Sequence, residues 1–142
     1  MPGSPLEVVG SFISAINCLD MKALRSLMTE DHIFTDSRGA KFFGAEQMFE
    51  NWKCFLDAHP QYWISISDHL VEGNRVALFG EMGGRWRVDG QTLPGSWEAP
   101  AAWLGEVDGG RVRRWSIFCD SEWSRPPQLQ EELVGANYSE SR

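Results

Sequence analysis

Pro60 divides the sequence into two parts that differ in hydrophobic periodicity. Before it, apolar residues recur at three- and four-residue intervals, which is typical of helices with one buried face. After it, apolar and polar residues alternate, which is typical of half-buried strands. The first part predicts three helices, at about 5–19, 21–28 and 45–58. It also predicts one strand, at about 32–36, whereas the second part predicts only strands, as far as about residue 122.

This order of elements favours an α+β fold, because helices that precede a run of strands pack together on one face of the sheet. We expect three N-terminal helices packed in the concave face of a curved, mostly antiparallel sheet, which forms a cone with an interior cavity. Glycines at 80, 83 and 84 interrupt the long strand Arg75–Arg87 and predict a bulge or bend. A single domain is expected over residues 1–123, followed by a polar tail over 124–142.

The composition excludes several classes of partner. The 142 residues carry a net charge of −7, whereas nucleic acids and anionic membrane surfaces attract basic proteins. No apolar run could cross a bilayer, and the N-terminus lacks the features of a signal peptide. Cys18, Cys54 and Cys119 have no CxxC spacing and apolar neighbours, which predicts small core residues in a reducing compartment. We therefore expect a cytoplasmic protein with no metal and no cofactor.

Asp36 is the candidate catalytic residue. In the strand at 32–36 the side chains alternate between faces, so His32, Phe34 and Asp36 share one side. If that side faces the interior, Asp36 is a carboxylate in a pocket and could act as a general base. The alternative is a surface carboxylate that caps the turn at 37–39. His32 would lie roughly 13 Å away along a regular strand, so we expect it to be structural.

The same alternation predicts a pocket wall of aromatic and small side chains. Glycine and alanine in the middle of long strands leave volume unfilled, while tryptophans surround it, as in many small-molecule sites. The alternative is that the aromatic side chains fill the cone completely. The predicted substrate-binding residues are Phe12, Ile16, Phe34, Trp52, Leu78, Met82, Trp97, Ala99, Ala101, Trp103, Trp115 and Ile117.

Short motifs along the chain resemble those of the SnoaL-like branch of the NTF2-like superfamily, whose members have the cone fold of ketosteroid isomerases. The motifs lie within about residues 6–123. They are LMTEDH at 27–32, FGAE at 43–46, VEGNRVA at 71–77, PAAW at 100–103 and GRV at 110–112. The resemblance implies a cystatin-like cone. It also implies a homodimer formed through the outer sheet face, where Tyr62 or Trp63, Phe79 and Phe118 are expected.

By the same resemblance, Asp36 takes the position of the general base of ketosteroid isomerases. In those enzymes two hydrogen-bond donors assist the base. The position of the first is held here by Phe12, which has no donor. The position of the second is held by Trp103 or a neighbour, and Trp103 offers an indole N–H. The steroid isomerase mechanism is therefore not expected. SnoaL-like cyclases use an aspartate near the end of the sheet, for which Asp120 is the nearest residue. Strand alternation turns Asp120 outward, although a bulge would reverse that orientation.

Members that resemble limonene epoxide hydrolase need two acids and an arginine on the long strands. The matching positions hold Gly80, Met82 and Ile117, so epoxide hydrolase activity is not expected.

The sequence predicts an enzyme of the SnoaL-like type that abstracts a proton from a small apolar organic molecule. The reaction would be an isomerisation, a cyclisation or a dehydration. The alternative is a non-catalytic module that binds a small molecule or another protein.

Overall fold

Three α-helices and eight strands follow one another in the described part of the chain, which comprises residues 3–124 and 126 of a computed structural model. The helices are α1 (Pro5–Asn17), α2 (Met21–Ser26) and α3 (Ala45–Ala58). The strands are β1 (Met28–Thr35), β2 (Lys41–Phe43), β3 (Trp63–Glu72), β4 (Arg75–Gly84), β5 (Arg87–Val88), β6 (Gln91–Thr92), β7 (Trp97–Asp108) and β8 (Arg111–Phe118). A short 3₁₀ helix at Ser121–Ser124 follows the last strand.

Six of the strands form one sheet in the order β2-β1-β8-β7-β4-β3, and β5 and β6 form a separate hairpin. Neighbouring strands are antiparallel except β1 and β8, which are parallel. The helices contact one face of this curved sheet. The predicted α+β cone is therefore confirmed. None of the described helices could cross a membrane, and the longest, α3, has 14 residues.

The helix ends follow from local sequence signals. The Ser4 side chain accepts a hydrogen bond from the Glu7 backbone N–H, and Pro5 occupies the first turn of α1. Asp20 caps α2 by accepting from the Ala23 N–H. Asn17, the last residue of α1, accepts from the Ile64 N–H and donates to the Ile64 carbonyl oxygen, at 2.8 and 2.9 Å. This pair of hydrogen bonds attaches the end of α1 to β3.

His32 joins β1 to β8 inside the core. Its side chain is fully buried, and its Nδ1 donates to the Val112 carbonyl oxygen over 2.7 Å. Because the carbonyl can only accept, Nδ1 carries the proton. The Phe12 ring of α1 lies 6.0 Å from the imidazole, centroid to centroid. His32 thus has the structural position expected of it.

The glycines of β4 coincide with the predicted irregularity. The pairing of β3 with β4 shifts register between Ile66 and Asp68, opposite Gly80. A Cβ atom on Gly80 would overlap the backbone carbonyl oxygen of Ser65, and a Cβ on Gly83 would lie 2.5 Å from the Trp63 ring. The bulge therefore brings the neighbouring backbone so close that only glycine fits at position 80.

Several predicted boundaries were wrong. The strand β1 begins at Met28 and not at His32, and β4 ends at Gly84 because the Arg85 N–H bonds to the Pro60 carbonyl. The sequence pattern did not predict β2, the β5–β6 hairpin or the parallel pairing of β1 with β8. The polar tail predicted from residue 124 lies, apart from residues 124 and 126, outside the described residues.

Replacement of Gly80 by alanine is expected to lower the free energy of unfolding by about 1–3 kcal/mol, because a backbone atom must move to admit the methyl group. Urea denaturation at constant pH measures this change. Gly10 provides the matched control, since a Cβ there meets nothing within 4 Å and the residue lies exposed on α1. Gly10→Ala should leave stability equal or raise it by roughly 0.5–1 kcal/mol. Equal stability of Gly80→Ala and the wild type would contradict the close approach at the bulge.

His32 should make the stability depend on pH. Burial lowers its pKa below 6.5, and the hydrogen bond to the Val112 carbonyl and the charge of Asp31 oppose this only in part. The unfolded chain therefore takes up the proton first, so the stabilisation is complete above about pH 6.5 and is lost as the pH falls through the folded pKa. The free energy of unfolding should fall more between about pH 7.5 and 5.5 in the wild type than in His32→Gln.

Replacement of the exposed His69 by glutamine is the control for this comparison. We expect His69→Gln to keep the pH dependence of the wild type. If the free energy of unfolding changes with pH equally in His32→Gln and the wild type, the buried imidazole does not contribute to the pH dependence of stability.

Candidate functional site

A cavity of about 540 Å³ lies between α3, the end of β1 and the strands β7 and β8. Its volume falls within the range of small-molecule sites. Half of the residues in its wall are aromatic: Phe34, Phe42, Trp52, Phe55, Tyr62, Trp103, Trp115 and Trp123. The wall also includes Met48 and Ile117 and the polar or sulfur-containing side chains of Asp36, Ser37, Arg38, Asn51, Cys54 and Cys119. The arrangement suits a largely apolar ligand with few polar groups.

The aromatic rings of the wall support one another. The Trp52 ring lies edge-on to Phe34 and Phe55, with centroids 6.4 and 5.8 Å apart. Phe55 in turn lies edge-on to Tyr62 at 4.9 Å. Edge-to-face pairs at these distances are favourable and hold the rings in defined orientations. The wall around α3 is therefore built from rings that are already oriented before any ligand binds.

Trp123 closes another part of the wall. It lies in the 3₁₀ helix after β8, where its ring stacks on Trp97 with centroids 4.0 Å apart. The Trp86 indole donates to the Trp123 carbonyl oxygen at 3.1 Å, and the Trp123 indole donates to Cys119 Sγ at 3.3 Å. These contacts hold the end of the described chain against the cavity.

Asp36 lies half-buried at the cavity, one residue after β1. Its Oδ1 accepts hydrogen bonds from the backbone N–H groups of Arg38 and Ala40, both at 2.9 Å. Among the described residues no donor reaches Oδ2. The two alternatives for Asp36 are thus both realised in part, because the side chain caps the turn and also contacts the cavity. Its role as a general base stays a prediction.

Five of the predicted substrate-binding residues line the cavity: Phe34, Trp52, Trp103, Trp115 and Ile117. The seven other predicted residues lie in or against the packed core and are not among the residues that line this cavity. These are Phe12, Ile16, Leu78, Met82, Trp97, Ala99 and Ala101.

For Phe12 and Ile16 the reason is the position of α1, on which both residues lie. The Phe12 ring lies 4.9 Å from the Trp115 ring, and a Cβ at Gly105 of β7 would lie 2.9 Å from a methyl carbon of Val9. α1 therefore fills the part of the cone that it crosses. The part of the cone beside α1 is thus filled by side chains, as one of the two alternatives from the sequence described. The cavity occupies the part beside α3.

Sequence reasoning missed several residues of the wall. Of the two alternatives for the outer face, Tyr62 is buried, with 5% of its surface exposed, and Trp63 is half-buried. Cys18 and Cys54 were expected in the core but are exposed, and Cys54 lines the cavity together with the half-buried Cys119. Helical spacing from Trp52 could have indicated Met48 and Phe55. No local signal indicated Phe42, which is brought to the wall by the pairing of β2 with β1.

Asp120 faces solvent, as strand alternation predicted. Its Oδ1 accepts from the Glu122 backbone N–H at 2.9 Å, and the residue is exposed and absent from the cavity wall. Among the described residues, Asp36 is thus the only carboxylate that lines the cavity. This part of the chain also contains no cluster of three His, Cys, Asp or Glu side chains that could hold a metal ion.

The family profile described as SnoaL-like domain matches residues 9–115 of this sequence. The chain belongs to the SnoaL-like family. No curated protein matches the sequence.

Solved structures give the same fold. IdmH from Streptomyces antibioticus, a proposed polyketide cyclase, is 17% identical, covers 86% of this chain and 96% of its own, and has a TM-score of 0.73. A proposed SnoaL-like polyketide cyclase from Shewanella denitrificans is 14% identical, covers 92% and 97%, and has a TM-score of 0.75. A protein of ketosteroid-isomerase-like fold from Catenulispora acidiphila, in complex with trimethylamine, is 24% identical, covers 82% and 86%, and has a TM-score of 0.68. At these identities the likeness is one of fold.

In this SnoaL-like domain the wall of the cavity extends beyond the matched segment. The match ends at residue 115, whereas Ile117, Cys119 and Trp123 all line the cavity. Asp36 and the aromatic side chains of α3 lie within the matched segment. The acid thus belongs to the part shared with the family, and the C-terminal side of the wall is contributed by residues beyond that part.

Proposed function

We propose that this SnoaL-like domain is an enzyme that removes a proton from a small, largely apolar organic molecule, with Asp36 as the general base. The observation that carries the proposal is the position of Asp36. It is the only carboxylate lining the aromatic cavity among the described residues, and only its Oδ1 is engaged by the turn. A carboxylate held by one oxygen leaves the other available to accept a proton.

The proposed step begins at a carbon next to a carbonyl group. The two backbone N–H groups on Oδ1 orient the carboxylate, and Oδ2 accepts the proton from that carbon. The electrons of the broken C–H bond form an enolate, with the negative charge on the carbonyl oxygen. Return of the proton at another carbon completes an isomerisation. Attack of the enolate carbon on a second carbonyl forms a C–C bond and an alkoxide, and transfer of the proton from Asp36 to that alkoxide completes a cyclisation. In a dehydration the enolate electrons expel a β-hydroxyl group, which takes the proton from Asp36 and leaves as water.

The wall favours a planar substrate. Flat rings such as those of Trp52 and Trp103 bury flat apolar surfaces efficiently, and a volume of about 540 Å³ admits a molecule of several fused rings. The structural relatives that are proposed polyketide cyclases are consistent with such a substrate. Cyclisation is accordingly the first reaction to test.

A specific observation also favours the non-catalytic alternative. The hydrogen bonds of Asp36 to Arg38 and Ala40 stabilise the turn whether or not any reaction occurs. The described wall of the cavity contains no histidine and no second carboxylate. A domain that only binds a small molecule needs nothing more than this cavity.

Replacement of Asp36 by asparagine separates the two functions. The asparagine Oδ1 can still accept from the turn, so the fold should persist, but the side chain can no longer take up a proton. With a substrate identified by screening polycyclic ketones, we expect kcat to fall by roughly 10²–10⁴-fold. Asp120→Asn, which changes an exposed aspartate that also accepts a backbone hydrogen bond, should keep full activity. Undiminished turnover by Asp36→Asn would remove Asp36 from the mechanism.

We also propose that the protein is a homodimer that assembles through the outer sheet face. Phe79 of β4, Ala102 of β7 and Phe118 of β8 are aligned in register across three neighbouring strands. The two phenylalanine side chains are 41% and 57% exposed. Aligned aromatic side chains on a sheet surface are typical of an interface.

A cytoplasmic location stays a prediction.

Combined replacement of Phe79 and Phe118 by serine should convert the dimer into a monomer, because the dimer interface loses the two aromatic side chains that it buries. Sedimentation velocity at micromolar concentration measures the mass. The control is Phe43→Ser, which removes an aromatic side chain that is 64% exposed on β2, at the sheet edge. A monomeric wild type, or a Phe43→Ser variant that dissociates as readily, would contradict this interface.

A further inference from the structure

Three hydrogen-bond donors of the residues in the cavity wall are paired with sulfur atoms. The Tyr62 hydroxyl donates to Met82 Sδ at 3.5 Å, and the Asn51 amide donates to Met48 Sδ at 3.4 Å. The Trp123 indole likewise donates to the sulfur of Cys119, at 3.3 Å. Thioethers and thiols are weak acceptors, so these donors recover little of the free energy lost when they leave water.

Trp52 extends the same pattern. Its side chain is 6% exposed and lines the cavity, and its indole Nε1 is buried without any acceptor among the described residues. Buried polar groups are normally hydrogen-bonded, and exceptions often mark a site whose partner is supplied from outside. The wall beside α3 is therefore rich in donors and poor in acceptors.

Tyr62 is the best placed of these donors. Its ring is held between Phe55 and Trp97, with centroids 4.9 and 6.0 Å away, so the hydroxyl has a fixed position. Burial raises its pKa well above the usual value of 10, and the neighbouring Cys119 thiol adds to the effect. Both Tyr62 and Cys119 line the cavity, and the Tyr62 hydroxyl contacts the sulfur of the buried Met82. It remains protonated at neutral pH and can donate to a ligand oxygen.

We propose that Tyr62 determines ligand specificity by donating a hydrogen bond to a carbonyl oxygen of a planar aromatic ketone bound in the cavity. The inference rests on the proposed function and specifies its substrate class. A carbonyl oxygen is a far better acceptor than the Met82 thioether, so the hydroxyl exchanges a weak partner for a strong one when the ketone binds. If this carbonyl is the one beside the carbon that loses its proton, the same hydrogen bond strengthens as the charge develops.

Two probes of nearly equal shape test the proposal. 2-Acetylnaphthalene carries the carbonyl oxygen, and 2-ethylnaphthalene lacks it. Quenching of tryptophan fluorescence reports binding, because tryptophans form much of the wall. Tyr62→Phe should bind the ketone roughly three- to tenfold more weakly than the wild type and should bind the hydrocarbon equally well. Met82→Leu, which removes the competing sulfur at similar volume, should bind the ketone at least as tightly as the wild type.

Infrared spectroscopy of the bound ketone provides a second measurement. The carbonyl stretching band should lie at lower wavenumber in the wild type than in hexane, and Tyr62→Phe should move it back toward the hexane position. A band in the wild type at the hexane position would overturn the proposal without any use of the variant. A lowered band that persists in Tyr62→Phe would also overturn it and would identify another donor, such as the Trp52 indole.

The outcomes distinguish this inference from the function on which it rests. If both probes bind and Tyr62→Phe weakens both equally or neither, the cavity still binds small molecules and only the role of Tyr62 is overturned. If neither probe binds to the wild type at its solubility limit, the inference is overturned together with the proposal that this cavity accepts planar aromatic substrates.

Discussion

The parallel pairing of β1 with β8 is the interaction on which the rest of the structure depends. It joins two segments that are about 80 positions apart in sequence, and the buried hydrogen bond from His32 to the Val112 carbonyl supports it within the core. Phe34 pairs with Trp115 in this register, so the turn that holds Asp36 lies beside the last residues of β8. Without this pairing the acid and the C-terminal part of the aromatic wall would not lie at the same cavity.

The interior of the cone is divided between packing and open volume. α1 packs directly on β7, where Gly105 allows Val9 to approach closely, and the core in this part leaves no room for a ligand. α3 presents larger aromatic side chains that meet their neighbours edge to face and leave a space between them and the sheet. Packing on one side thus supports the open site on the other. The two alternatives derived from the sequence, a filled cone and a hollow one, describe different parts of the same molecule.

The polar groups of the site are few and have distinct partners. Asp36 is held through Oδ1 by backbone N–H groups, which supply orientation without neutralising the charge. The donors Tyr62, Asn51 and Trp123 are held by sulfur atoms, which fix their positions at low hydrogen-bond strength. Such an arrangement is pre-organised and also incompletely satisfied, and a ligand that brings a suitable oxygen atom can complete it.

The sequence by itself determined the order of the three helices and the longer strands, the bounds of α3, the bulge opposite Gly80 and the shared face of His32, Phe34 and Asp36. Periodicity, caps and alternation are local properties, so they can be read without knowledge of distant contacts. Only the tertiary structure decided that Phe12 fills the core while Trp115 also reaches the cavity, and that Tyr62 points inward. These outcomes depend on where α1 and α3 lie on the sheet and on the pairing of β1 with β8. Contacts between segments far apart in the chain set those positions, and no local pattern records them.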